Sequence, residues 1–320
     1  MEYRSIPGVR LPVSRVILGT ASPGFSQGQD QSALLDAALA AGINTLDTAR
    51  VYGKSENAIG CWLDRHRDQV VVESKCAHPS PLGRRRVSER EIRRDFADSA
   101  SALGTDHIDI YLLHRDDPRV EVGMIVEVMN ALRAEGKISV FGASNWTWPR
   151  LLAAAEYAEK RGLASFSVSS PHYSLARQTC DLWGGGCVSL TGPENEGARQ
   201  WYRDTQLPVF AYSSLARGLL SGRLKSQDAP RAKDVLDSYA IKGYACPDNF
   251  QRLARCEALA AQKGCSVAQI AMAWLYAQPL NTFAIVTMSS PARIQENTAA
   301  LALHLTEAEC RYLNLETDEL

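Results

Sequence analysis

From Val70 to His114 the chain reads VVVESKCAHPSPLGRRRVSEREIRRDFADSASALGTDHIDIYLLH. Two short apolar runs, Val70–Lys75 and His107–His114, enclose a long amphipathic stretch. The runs are β-branched and nearly continuous in apolarity, as strands covered on both faces are. Ser88 and Glu91 have the spacing of a capping box, which opens a helix between the two strands. Strand, crossover helix and strand is the unit of a parallel sheet.

The unit repeats outward in both directions. Further strands are predicted at Arg15–Leu18, Asn44–Asp47, Ser139–Ser144, Ala164–Ser169, Pro208–Tyr212 and Thr282–Thr287, making eight with the first two. Ser266 with Gln269 forms a second box, and Ser290 before Pro291 puts proline at a first helical position. Gly42, Gly136 and Gly162 fall where helices should stop before the next strand. No Pro/Ser-rich linker or composition shift divides the 320 residues. This predicts one α/β domain over residues 1–320, a (β/α)8 TIM barrel rather than two nucleotide-binding halves. Tyr3–Val13, with Pro7-Gly8 in its middle, is predicted as an N-terminal β-hairpin closing the bottom. Tyr173–Gly197 and Arg217–Cys246 are predicted as long loops over the C-terminal face.

Composition narrows the function classes. With 35 basic against 36 acidic side chains there is no basic field for a nucleic acid. No apolar run approaches the roughly eighteen residues that would cross a membrane. The opening MEYRSIPGVRLPVSRV is interrupted by charge and proline, so a cytoplasmic protein without a membrane partner is expected. The eight cysteines lack C-x-x-C or zinc-type spacing and read as reduced thiols.

In such a barrel the C-terminal strand ends face the active site. Those ends carry Asp47, with Tyr52 five residues on, then Lys75 and His114. Tyrosine ordinarily titrates near 10. A cation beside it favours the phenolate, and a carboxylate paired with that cation fixes its position. Asp47, Lys75 and Tyr52 supply this set, which makes Tyr52 a general acid for a carbonyl oxygen that His114 orients. The plain alternative is a salt bridge, a core tyrosine and a capping histidine, and placement of all four at strand ends disfavours it.

These residues resemble the aldo-keto reductase superfamily. LDTA..YG.SE at Leu46–Glu56, Lys75 at its strand end, LLH at Leu112–His114 and GASN at Gly142–Asn145 match the family's segments in order. The match runs on through AYSSLARGLLSGR (Ala211–Arg223) and SSPARIQEN (Ser289–Asn297), over nearly the whole chain. The resemblance implies a (β/α)8 barrel that binds NADPH in an extended pose and reduces aldehydes or ketones, with Asp47, Tyr52, Lys75 and His114 as the catalytic tetrad.

It also implies cofactor contacts. Ser144 and Asn145 match the pair that holds the nicotinamide carboxamide, Tyr212 the aromatic that stacks on the ring, and Gly19, Thr20 and Ala21 a loop on the nicotinamide side, beside Asp47. Ser213, Leu215, Arg217 and Arg223 resemble the pyrophosphate loop. Arg293, Glu296 and Asn297, with Ser289 before them, match the 2′-phosphate and adenine contacts. Two positions depart from the pattern. Ser170 stands where the family usually has a carboxamide-holding Gln, and the loop TMSS lacks the lysine that many members place before Arg293. NADP(H) is therefore implied mainly through Arg293 with Arg223 in support, and NAD(H) use stays open.

The beta subunits of voltage-gated potassium channels resemble the same family and bind NADP(H) while serving a partner protein, which gives a regulatory alternative. They lack the histidine that His114 supplies. Trp146, Trp148, Tyr173 and Trp183 are candidates to line a substrate pocket with Tyr52 and His114, although tryptophan is often buried for packing alone. Loop polarity and aromatic content point to a sugar-like carbonyl or alcohol substrate; the oligomeric state is not legible. Cys76 and His78 can be read as metal ligands beside His114, but strand alternation turns Cys76 away from Lys75, no zinc-type ligand spacing is present, and no metal is expected. The run Arg84–Arg86, interleaved onward with Glu89, Glu91 and Asp95, reads as a solvated helix face.

Overall fold

Eight parallel strands close into a barrel in the computed structural model, which describes residues 1–320. A two-stranded antiparallel ribbon, β1 (Tyr3–Arg4) with β2 (Val13–Ser14), precedes them. The barrel runs β3 (Val16–Gly19), β4 (Thr45–Asp47), β5 (Val71–Cys76), β6 (Ile108–Leu113), β7 (Ile138–Ser144), β8 (Val168–Ser170), β9 (Val209–Ala211) and β10 (Thr282–Val286), and β10 pairs back onto β3.

Side-chain alternation divides the core in two. Ile17, Val71, Ile110, Leu112, Val140, Val168, Phe210 and Phe283 fill the barrel, and Ile6 and Val13 of the ribbon plug its base. The opposite strand faces meet the helices in a much larger apolar shell that includes Val72, Tyr111, Leu113 and Phe141. Gly142 on β7 lies so close to β8 that a Cβ there would stand 2.0 Å from the Val168 carbonyl oxygen, so this strand position requires glycine.

The capping chemistry is as the spacing predicts, with one difference. Ser266 and Gln269 form the full reciprocal box, and Ser290 accepts from the Arg293 N–H with Pro291 at the first turn. At Ser88 only half the box forms, because the Glu91 carboxylate accepts the Ser88 hydroxyl and pairs with Arg84 at 2.8 Å.

Two expected boundaries move. The strand predicted over Ala164–Ser169 begins only at Val168. The backbone of Ala164 is instead taken at both its N–H and its carbonyl by the side chain of Asn130 on the helix Val122–Ala134. The stretch Arg217–Cys246 is not a plain loop: it contains 3₁₀ turns and a short helix, Ser238–Tyr244, capped by Asp237. Tyr173–Gly197 remains irregular up to a short turn at Pro193–Asn195. Its glycine-rich part folds around Asp181, whose carboxylate accepts from the N–H groups of Trp183, Gly185 and Gly186. All eight cysteines are free, and no helix is long and apolar enough to cross a membrane.

Candidate active site

The C-terminal strand ends open on a cleft of about 760 Å3 that runs from Tyr52 to the helix Pro291–Ala299. Strand parity builds one end of it. On β5, Val71, Glu73 and Lys75 point inward, while Val72 and Cys76 join the outer core and Ser74 donates to the buried Glu56 at 2.6 Å. Lys75 Nζ lies against Asp47 Oδ2, the Thr48 carbonyl at 3.0 Å and Glu73 Oε1 at 3.0 Å. An ammonium has three donors. Asp47 and Thr48 accept hydrogen bonds from two of them and Glu73 adds an ion-pair contact, while Lys75 acts on Tyr52 through space, with Nζ 5.4 Å from the ring centroid.

One cation between two buried carboxyls cannot neutralise both. Burial disfavours the ammonium, yet Asp47 and then Glu73 hold its proton far above lysine's ordinary range. Burial also raises both carboxyls: Lys75 draws Asp47 back, while Glu73 is pushed up to about 8 with help from the Asp47 charge. Near neutral pH Glu73 thus keeps its proton, with Lys75 lying against Asp47.

Glu73 should therefore show in the pH dependence of folding. A carboxyl raised in the folded state contributes stability that is complete below its ordinary value of 4.5 and is lost as pH rises through about 8. Between about pH 5 and pH 8, Glu73→Gln should gain stability relative to the native chain, read from urea midpoints. A pH-independent gap would mean that Glu73 holds no proton in that window.

The ring of Tyr52 meets His114 edge-on at 5.7 Å. Burial pushes the phenol up to about 12; Lys75 pulls it back only in part, and Asp47 and Glu73 add to the rise. The lowering expected from Lys75 is present but outweighed, so Tyr52 keeps its proton across the neutral range. Burial, with the charges of Lys75 and Arg115, holds the His114 imidazole well below its ordinary range. The site thus presents a protonated phenol and a neutral imidazole side by side, a combination suited to giving a proton to an oxygen.

Further along, Asn145 adopts a positive φ of 58° after β7, where asparagine is among the tolerated residues. Its Oδ1 accepts from the Tyr212 hydroxyl at 2.7 Å, and its Nδ2 donates to Ser144 Oγ at 2.9 Å. Ser144 in turn donates to the Ser170 carbonyl at 2.8 Å. Ser170 Oγ is buried without a partner, and so is Asn297 Oδ1 at the far end of the cleft. Each unmet buried group costs about 1–3 kcal/mol. A long ligand with polar groups at both ends, such as a carboxamide at one and an amino-bearing ring at the other, would satisfy both.

Between these ends Ser213, Ala216 and Arg217 have φ values of 52°, 49° and 51°, the backbone strain that collects at ligand clamps. Arg217 pairs with Asp237 at 2.8 Å and stacks on Trp183 and Tyr239. Arg223, Ser289 and Arg293 also line the cleft, the last two at the N-terminus of the helix Pro291–Ala299, where a phosphate is favoured. Arg293 already pairs with Glu296 at 2.5 Å.

The aldo/keto reductase family model matches residues 15–315 of this sequence. The chain belongs to the aldo/keto reductase family. Its relatives include an uncharacterized oxidoreductase of Bacillus subtilis, YrpG, 29% identical over 334 residues that cover 98% of this chain and 95% of that one. Versiconal hemiacetal acetate reductase of Aspergillus parasiticus is 28% identical over 346 residues, 98% of this chain and 96% of its own. The NADH-specific methylglyoxal reductase of Escherichia coli is 28% identical over 328 residues, 93% of each chain. This aldo/keto reductase is an oxidoreductase of a family that pairs a nicotinamide cofactor with small-molecule carbonyl substrates.

In this reductase most of the residues singled out from sequence border the one cleft: Asp47, Tyr52, Lys75 and His114 at one end, Gly19 and Ala21 beside them, then Ser144, Asn145, Ser170, Tyr212, Ser213 and Leu215. Thr20 does not face it; its hydroxyl donates to the Asp47 carbonyl at 2.8 Å and receives Ser55 Oγ at 2.6 Å, pinning one strand end to the next. Glu296 reaches the site only through Arg293.

The aromatic pocket needs correction. Trp146 is fully buried in the outer core against Phe166, Trp148 packs toward Trp201, and Tyr173 lies against Trp274 with its hydroxyl on Gln278. Only Trp183 of the four borders the cleft. Cys76 is in the outer core, whereas His78 lines the cleft and meets His114 at 4.8 Å.

Two cleft-end residues escape the sequence reading. Glu73 had a usable signal, since the residue two before an inward Lys75 shares its face. Arg115 had none: RDDPR mixes two arginines with two aspartates, and only the fold shows which of them pair.

Proposed function

We propose that the whole chain, residues 1–320, works as one NAD(P)H-dependent reductase that converts an aldehyde or ketone to an alcohol, with Tyr52 as general acid. The observation that carries this reading is the protonated Tyr52 phenol beside the neutral His114 ring, backed by the Lys75–Asp47 pair. A bound nicotinamide cofactor supplies hydride to the carbonyl carbon. Tyr52 gives its proton to the carbonyl oxygen as negative charge develops there, and His114 holds that oxygen by an N–H. The phenolate left on Tyr52 is stabilised by the Lys75 charge, whose position Asp47 fixes. A phenol raised to about 12 is fully protonated near pH 7, so the proton is in place, and it transfers once hydride arrival has built negative charge on the carbonyl oxygen.

Ser144, Asn145 and Ser170 are suited to hold the carboxamide of the cofactor and Tyr212 its ring, with Ser213, Leu215 and Arg217 along the pyrophosphate and Arg223, Ser289, Arg293 and Asn297 at the adenosine end. Arg293 favours a 2′-phosphate, and Glu296 on the same guanidinium opposes it. One relative is named NADH-specific, so both cofactors are to be tried.

The test is titration with NADPH and NADH, followed by tryptophan quenching, and then cofactor oxidation with a panel of aldehydes and ketones. Arg293→Ala should weaken NADPH by roughly 10- to 100-fold, as for loss of a charged hydrogen bond, and leave NADH nearly unchanged. Failure to bind either cofactor would overturn the reading; binding without any turnover would return the protein to the regulatory alternative.

A further inference from the structure

Arg115 is a buried cation with no anion. It follows His114 directly, is 4% exposed, and borders the cleft on the side of His78 and His114. One guanidinium N–H donates to the His114 carbonyl at 2.9 Å, and the only other polar contact is Cys187 Sγ at 4.0 Å. No carboxylate lies within the 4.0 Å of a salt bridge. The nearby acids are committed elsewhere: Asp116 to Arg150 at 3.2 Å, Asp117 to Arg119 at 2.8 Å, and Asp181 to the N–H groups of its own loop.

Burying a charge is costly unless it is paired. Lys75, the other buried cation at this end, has two carboxyls, and Arg115 has none. It donates to the His114 carbonyl and lines the cleft with Tyr52, His78 and His114, so it stands at the reacting end. The arginines suited to phosphate, Arg223 and Arg293, belong to the opposite end, near the helix Pro291–Ala299. The missing anion must therefore come with whatever occupies the space over Tyr52 and His114.

We propose that Arg115 is an anion subsite for the substrate, and that the carbonyl compound reduced here carries a carboxylate that this guanidinium binds. This rests on the reductase reading of the same cleft. A planar guanidinium takes a carboxylate through two parallel N–H bonds, which fixes orientation as well as charge. Arg115 thereby determines specificity: bound at its carboxylate, the substrate presents its carbonyl to Tyr52, whereas a neutral analogue of the same length is held only by shape.

Matched pairs test it: succinic semialdehyde against butanal, and glucuronate against glucose. The native enzyme should favour the acid of each pair in kcat/KM by about tenfold or more. Arg115→Leu should collapse that acid-to-neutral ratio toward one, chiefly through KM, and Arg115→Lys, which keeps the charge without the fork, should recover part of it. A ratio unchanged in both variants, or a native preference for the neutral partner, overturns the proposal.

Binding of the unreactive pair butyrate and butyramide, measured by calorimetry, separates the two readings. Butyrate binding that Arg115→Leu abolishes, with no carbonyl turned over, would leave the anion subsite standing and remove the reductase reading. Turnover of both pairs with equal ratios, and butyrate binding no tighter than butyramide, would do the reverse.

Discussion

Tyr52→Phe should lower kcat for carbonyl reduction by roughly 10²–10⁴, the contribution of a positioned general acid. The substitution removes only the phenolic O–H. The ring that meets His114 at 5.7 Å and lies 5.4 Å from Lys75 Nζ is retained, so the packing of this end of the cleft is unchanged. Cofactor affinity, followed by tryptophan quenching, should stay within about twofold, because that binding draws on residues far along the cleft. The loss should appear in single-turnover experiments, where product release is removed from the measured rate. Neither neighbour can replace the phenol at neutral pH: His114 is held neutral, and Lys75, paired with Asp47 and Glu73, holds its proton far above lysine's ordinary range. A fall of less than about tenfold would mean that water or another group supplies the proton.

The barrel was legible because its strands are buried on both faces and its helices carry local start and stop chemistry, which a single sequence displays. The candidate site was legible for a related reason: Asp47, Lys75 and His114 stand at or beside the C-terminal ends of β4, β5 and β6, so naming the strands brought these three together. What failed was inference from chain neighbourhood. Trp146 follows the cleft residue Asn145 directly, but the positive φ at Asn145 turns the chain, and the indole passes behind the barrel onto Phe166. Thr20 lies between two cleft residues and still faces away, toward Ser55. The direction of the Tyr52 shift was also beyond reach, since it depends on burial outweighing Lys75, and burial is a property of the closed barrel. Charge pairing was equally hidden. Arg115 lies among acids in the sequence, yet the fold gives those acids to Arg150 and Arg119 and leaves Arg115 alone.

Lys75→Met should destabilise the fold by about 3–5 kcal/mol, the range for removing one partner of a buried ion pair. Asp47 would then be a buried carboxylate with no cation, and burial already raises it with Lys75 present. Its folded pKa would rise further, so the deficit of the variant should be small at acid pH, where Asp47 is protonated in both proteins, and grow once pH passes the already raised value that Asp47 has in the native chain. Urea unfolding at two pH values reads this directly. Adding Asp47→Asn removes the stranded charge, and the double variant should lose less stability than the two single losses summed. Turnover should not follow. Without Lys75 only the smaller influence of Arg115 offsets the phenolate that forms on Tyr52 as the proton leaves, so the double variant should regain much of its stability while kcat stays depressed. Recovery of both together would mean that Lys75 serves the catalytic end only by satisfying Asp47, and that its charge has no direct part in stabilising the phenolate.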